Sequence, residues 1–125
     1  MKTPTLYKVL DAVTATTESE PVNIENAEKV TLEFTRTNHG SGSTSFAVAV
    51  SVDGVTYVTF NKLIDNVVNT NAQTLTRVAA VSLGSNTSKH YSMDLSQDAF
   101  RWMKVTATET TDGTHTCKAL VTYNY

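Results

Sequence analysis

The chain has 125 residues, with ten Lys and Arg against twelve Asp and Glu and a single cysteine, Cys117. That length implies one domain, spanning 1–125, that buries roughly two-thirds of the surface of its unfolded form, enough for a core without staples. The lone thiol excludes an intrachain disulfide and a multi-cysteine metal site. Scattered basic residues and a formal net charge of −2 exclude a clustered phosphate-binding surface, so nucleic acid is not expected as a partner.

In the amino-terminal stretch MKTPTLYKVLDAV, Lys8 and Asp11 interrupt the apolar residues. There is no secretory h-region and no run long enough to span a bilayer, so a membrane partner is not expected. The expectation is a protein made and folded in a host cytoplasm. Asp11, Glu18, Glu20, Glu25, Glu28 and Glu33 make the early part acidic, which reads as a solvated face. Threonine occurs 22 times. It is β-branched and suits a pleated, half-exposed surface, so the composition points to sheet and to a polar, weakly charged exterior suited to broad contact with another protein.

In chain order, LYKVLDAVT (6–14) reads as a first strand and PVNI (21–24) as a short second one. KVTLEFTRT (29–37) alternates, with Val30, Leu32 and Phe34 on one face and Thr31, Glu33 and Thr35 on the other, the period-2 signature of a half-buried strand. NHGSGSTS (38–45) is a glycine- and serine-rich loop, and SFAVAVSV (45–52) alternates again with Phe46, Val48 and Val50 inward. SVDGVTYVTF (51–60) reads as a hairpin turning on Asp53–Gly54. A three-residue loop opposes Phe46 to Phe60 and Val48 to Val58; a two-residue loop opposes Val50 to Tyr57. Residues 61–73 give no clear period and contain a long connection. TRVAAVSL (76–83) and KHYSMDL (89–95) read as strands, the second with Tyr91, Met93 and Leu95 on one side. SQDAFRWM holds one helical turn at most.

The remainder, FRWMKVTATETTDGTHTCKALVTYNY, reads as a closing hairpin. A bulged loop at Thr111-Asp112-Gly113 sets Met103 against Val121, Val105 against Ala119 and Ala107 against Cys117, an apolar face throughout. Trp102 and Leu120 then share its outer face with Lys104 and Thr106, while Ala47 and Ala49, joined by Tyr57 in the three-residue register, share the outer face of the opening hairpin. Strands with apolar residues on both sides are covered, either by the 61–73 connection or by another subunit. About nine short strands with frequent turn signals make an antiparallel all-β sandwich, for which a jelly roll is the candidate topology.

No catalytic or metal centre is expected from the residues. His39, His90 and His115 are too far apart in sequence for a local metal motif and read as surface histidines. Cys117 points inward as an inert thiol. Glu18 with Glu20, or Asp94 with Asp98, lack a desolvated cleft that could separate their pKa values. Asp53 and Asp112 are turn residues, and no calcium, phosphate or dinucleotide motif occurs. Asn86-Thr87-Ser88 matches a glycosylation acceptor by chance, given the absence of a secretion signal. The expectation is a non-enzyme without cofactors.

The SVDGVTYVTF stretch resembles the S-x-D-G-x-x-W/Y hairpin of discoidin-like, galactose-binding jelly rolls, and also equivalent hairpins in small virion proteins of tailed bacteriophages. FRWMKVTATETTDGT is similar to the penultimate strand and closing turn of such sandwiches. The chain departs from discoidin-type lectins in lacking bracketing cysteines and in having few loop aromatics or arginines. The virion resemblance implies a capsid decoration (cement) protein, or a tail or head-fibre component, located in the virion. Its partners would be a major capsid or other virion protein and further copies of itself, a trimer being favoured. The alternative is a carbohydrate-binding jelly-roll module. Candidate interface residues are His39, Ser41 and Ser43 in the 38–44 loop, with the outer-face residues Tyr57, Trp102 and Leu120.

Overall fold

The computed structural model describes residues 3–65, 76–97 and 99–123. Twelve strands are present among them: β1 (Thr5–Val13), β2 (Thr17–Glu18), β3 (Val22–Asn23), β4 (Ala27–Thr37), β5 (Thr44–Ser51), β6 (Val58–Thr59), β7 (Leu63–Asp65), β8 (Arg77–Val78), β9 (Ala80–Leu83), β10 (Thr87–Met93), β11 (Trp102–Glu109) and β12 (Thr114–Tyr123). All pairings are antiparallel, and no helix occurs among the described residues. The strands exceed the expected nine because short pieces such as β2 carry too few residues to show a period.

One sheet runs β1-β12-β4-β10-β7-β8. The other runs β2-β11-β5-β6, with β3 also on β11 and β9 also on β5. Taking β2/β3 as one broken strand, the main ladders are β1-β12-β4-β10 over β2/β3-β11-β5-β9, the connectivity of a jelly roll built from two Greek keys. Four connections cross between sheets at one end: 14–16, 38–43, 84–86 and 110–113. The segments 24–26, 52–57, 94–97 and 99–101 gather at the other, where Ile24 N–H donates to the Arg101 carbonyl and Arg101 N–H to that of Ser51.

The core lies between the sheets. Val30, Leu32 and Phe34 from β4 and Phe46, Val48 and Val50 from β5 are all buried as their alternation requires, and Phe34 stacks on Phe46 across the layers at 4.8 Å between centroids. Tyr91 and Met93 are buried, and Leu95 is partly buried against the core.

Three expectations are corrected. β11 and β12 do not form a hairpin: β11 pairs with β5 in one sheet and β12 with β1 and β4 in the other. Met103, Val105, Ala107, Cys117, Ala119 and Val121 are all fully buried as expected, but they meet across the sandwich rather than side by side. An apolar stripe reports which face is covered and not which strand lies beside it. The Asp53–Gly54 turn is wider than either expected register, pairing Ala49 with Thr59 and Val50 with Val58. Phe46 faces Val81 of β9, and Phe60 N–H donates to the Val48 carbonyl. Residues 76–83 break into β8 and β9, which lie in different sheets. Of the 61–73 connection, Leu63–Asp65 forms β7; 66–73, like Asp98, lies outside the described residues.

Candidate functional site: a candidate interaction surface

The connection from β5 to β6 is built around Asp53. Its Oδ1 accepts from the backbone N–H of Val55 (2.9 Å) and Thr56 (3.0 Å) and from the Ser51 hydroxyl (2.9 Å), while Ser51 Oγ accepts from Gly54 N–H at 2.9 Å. These donors, led by the Thr56 and Val55 amides, hold the Asp53 carboxyl at about 2. Binding Thr56 as well as Val55 is what widens the turn beyond a two- or three-residue loop. Gly54 adopts φ +79°, and a Cβ there would sit 3.1 Å from Trp102 Nε1. Glycine therefore supplies both the left-handed backbone and the close approach to the indole.

This internally bonded loop turns its apolar side chains outward. Val52 is 65% exposed, Val55 83% and Val58 56%. Val52 and Val55 on the loop and Val58 at the start of β6 put three exposed valines within seven residues, a denser apolar stretch than the scattered exposure usual on a surface. Beside it, Tyr57 and Trp102 line a depression of about 250 Å³ with Pro21, Asp53 and Gly54, and Val52 borders a second of about 230 Å³ with Phe100 and Arg101. Lys104 Nζ lies 4.5 Å from the centre of the Tyr57 ring and 3.3 Å from Glu18 Oε1. The Tyr57 hydroxyl is buried and makes no hydrogen bond among the described residues.

The candidate interface residues fall in three places. Tyr57 and Trp102 come together, both half-buried. Leu120 does not join them: it lies on the outer face of the other sheet, because β12 and β11 are in different layers. His39, Ser41 and Ser43 lie at the opposite end, in a loop pinned to the β11–β12 connection. Asp112 Oδ1 accepts from Gly40 N–H (3.0 Å), Asp112 Oδ2 from Ser41 N–H (3.2 Å), and Thr110 Oγ1 from Ser43 N–H (2.9 Å). His39 N–H donates to Asn86 Oδ1 at 2.8 Å. Val52, Val55 and Val58 were not among the candidate interface residues. The signal was apolar residues flanking and occupying a turn where polar ones are the rule.

A buried polar cluster beneath the pinned end was also unforeseen. Arg36 continues the inward row of Val30, Leu32 and Phe34 and is wholly buried. It donates through Nη1 to Thr44 Oγ1 (2.6 Å), and through Nη2 to the Ser41 carbonyl (2.8 Å) and Asp112 Oδ1 (3.2 Å). The Gly40 and Ser41 amides and the Arg36 charge hold the Asp112 carboxyl below its usual range. His115, expected on the surface, is fully buried because β12 aligns it with Arg36 in the ladder. Its Nδ1 is 2.9 Å from Thr44 Oγ1 and its Nε2 is 3.4 Å from Glu109 Oε2. Arg36 can only donate, so Thr44 accepts from it and its own proton is free for Nδ1, which leaves the Nε2 proton facing the carboxylate. Thr44, His115 and Glu109 thus resemble a hydroxyl–imidazole–carboxylate relay. Thr44 and His115 are both wholly buried, and the cluster joins β4 and β12 of one sheet to β5 of the other.

His90 is exposed and paired with Glu33 at 2.8 Å. Cys117 is buried, and desolvation, with the Glu33 charge, pushes its thiol well above the usual range. No group of three or more His, Cys, Asp or Glu side chains suited to a metal occurs among the described residues.

No protein-family model and no curated protein sequence matches the chain. Solved structures do. The SPBc2 prophage-derived protein YomS superposes with a TM-score of 0.66 at 13% identity, over 98% of this chain and 97% of that one. A chain from Bacillus endospore appendages, described as a novel family of disulfide-linked pili, gives 0.51 at 15% identity over 100% and 92%. A chain in the structure of infectious bursal disease virus, Gx strain, gives 0.52 at 11% identity; it covers 99% of this chain but 34% of its own length. At these identities the likeness is one of fold: this chain shares a β-sandwich with a prophage-derived protein along nearly the whole length of both.

Proposed function

We propose that the protein is a virion structural protein, a capsid decoration (cement) protein that seats its 51–58 loop on a major capsid or other virion protein. The observation that carries this reading is the loop itself. Its backbone is fixed by Asp53 and Ser51; Val52 and Val55 stand exposed on it, with exposed Val58 directly after. A preorganised loop loses little conformational entropy on docking, so the apolar area it buries goes largely into affinity. The fold shared with a prophage-derived protein supports the viral setting. The role is mechanical rather than catalytic: many copies, each making a modest contact, gain avidity on a repeating shell.

The proposal is tested by protein mass spectrometry of gradient-purified particles from cells that carry the gene. The chain should be present in fixed ratio to the shell protein. Its absence from the particles would overturn the assignment.

The Tyr57–Trp102 depression favours a second reading, a carbohydrate-binding module with these rings as the stacking floor. Lys104 over one face of Tyr57 and Gly54 against the Trp102 indole narrow that floor, so the virion reading is preferred. Quenching or shift of Trp102 fluorescence by a simple hexose would reverse that preference.

A further inference from the structure

Among the described residues, the large hydrophobic side chains most exposed to solvent are Leu6, Val52, Val55, Val58 and Leu120. Three belong to the 51–58 loop. The other two, Leu6 (62% exposed) and Leu120 (42%), are direct cross-strand neighbours on the outer face of the six-stranded sheet that β1 edges. They begin a row that continues through Thr31 and Ser92 on β4 and β10. The flanking rows differ in charge. On one side stand Lys8, Lys118, Glu33 and His90; on the other, Thr122 and Lys29. The leucines, with Thr31, Glu33, His90 and Lys118, line an open groove of about 300 Å³.

We propose that this face is the contact between two copies of the chain, related by a two-fold axis running along the Leu6–Leu120–Thr31 row. Such an axis lies in the plane of contact and turns the second copy over. The leucine row then meets itself, and the Glu33 row of each copy meets the Lys29 row of the other. Leu6 and Leu120 bury against their counterparts, flanked by symmetric Glu33–Lys29 pairs. The contact is isologous and self-complementary, and two sheets face to face lie about 10 Å apart, a gap that interdigitated leucines fill.

Charge selects this arrangement over its alternatives. A two-fold axis parallel to the strands between β1 and β12 stacks Leu6 on Leu120 but sets Lys8 on Lys118, and like charges across a contact are repulsive. An axis between β12 and β4 pairs Lys118 with Glu33 but places Leu120 on Thr31 and Leu6 on Ser92. Of these, the axis along the row alone brings leucine onto leucine while setting Glu33 against Lys29 and no lysine on a lysine. The pairing stands whether or not the protein belongs to a virion.

The test is sedimentation equilibrium on the full chain and on two single variants, Lys29→Glu and Glu33→Lys. Wild type should be a dimer. Each variant alone sets like charges at both symmetric contacts and should dissociate roughly tenfold or more readily, about 1.4 kcal/mol in free energy. An equimolar mixture should recover the dimer. In the mixed pair the native Glu33 of one variant meets the native Lys29 of the other, and the introduced glutamate meets the introduced lysine. A wild-type monomer or trimer would overturn the proposal. So would a dimer indifferent to either variant, or variants whose mixture fails to recover while each retains the wild-type circular dichroism spectrum.

Discussion

Replacing Thr44 by valine keeps the shape of the side chain and removes one hydroxyl. That hydroxyl accepts from Arg36 Nη1 at 2.6 Å and contacts His115 Nδ1 at 2.9 Å, with all three side chains wholly buried. A hydrogen bond to a charged group contributes about 1.5–3 kcal/mol, and a buried polar atom left unpaired costs about 1–3 kcal/mol. Arg36 keeps Ser41 and Asp112 as partners, which limits its loss, whereas the His115 ring loses the hydrogen bond at Nδ1. The sum is a destabilisation of roughly 2–5 kcal/mol. At a urea m-value of about 1.5–2 kcal/mol/M, the unfolding midpoint falls by roughly 1–3 M. Thr35→Val is the control: its hydroxyl meets Ser88 Oγ at 2.8 Å on the exposed side, and its effect should stay within about 0.5 kcal/mol. If both variants unfold at the wild-type midpoint, the Arg36–Thr44–His115 cluster does not tie the sheets together and that reasoning is wrong.

Gly54→Val should destabilise by about 1–3 kcal/mol, since φ of +79° and a Cβ 3.1 Å from Trp102 Nε1 are both unfavourable; a shift in Trp102 emission would report the displaced loop. Asp53 and Asp94 each titrate at about 2 in the fold against an ordinary 3.8. Because the folded values lie below the unfolded ones, their contribution is complete above that ordinary value and is lost as pH falls from about 4 through about 2. Urea midpoints measured across that window should drop, and Asp53→Asn should flatten part of the drop. Cys117 should react with a disulfide reagent at pH 8 only after denaturation; rapid reaction of the native protein would contradict its burial.

The strand alternation at 29–37 and 45–52 made the core-facing residues readable, because a face that must be dry leaves a period of two. Neighbour relations were not readable from the same signal. In a sandwich the apolar faces of β11 and β12 satisfy a hairpin and a cross-layer contact equally well, and only the other strands competing for their edges decide between them. Arg36 was passed over and His115 misjudged for a related reason. A charged or titratable side chain at an inward position looks like the end of the buried stretch unless its partners are known to converge on it. For Arg36 those partners, Thr44 and Asp112, stand 8 and 76 residues away in sequence. The turn at Asp53–Gly54 was legible as a turn. Its width was not, since that depends on Asp53 reaching the Thr56 amide.

The most direct test of the docking surface is cosedimentation with gradient-purified particles stripped of the protein, comparing wild type with the Val52→Asp/Val55→Asp variant. Both side chains are exposed, so the variant should fold with a stability within about 1 kcal/mol of wild type. Wild-type protein should pellet with the particles to saturation while the variant stays in the supernatant. Equal pelleting of both, or of neither, would contradict docking through the 51–58 loop.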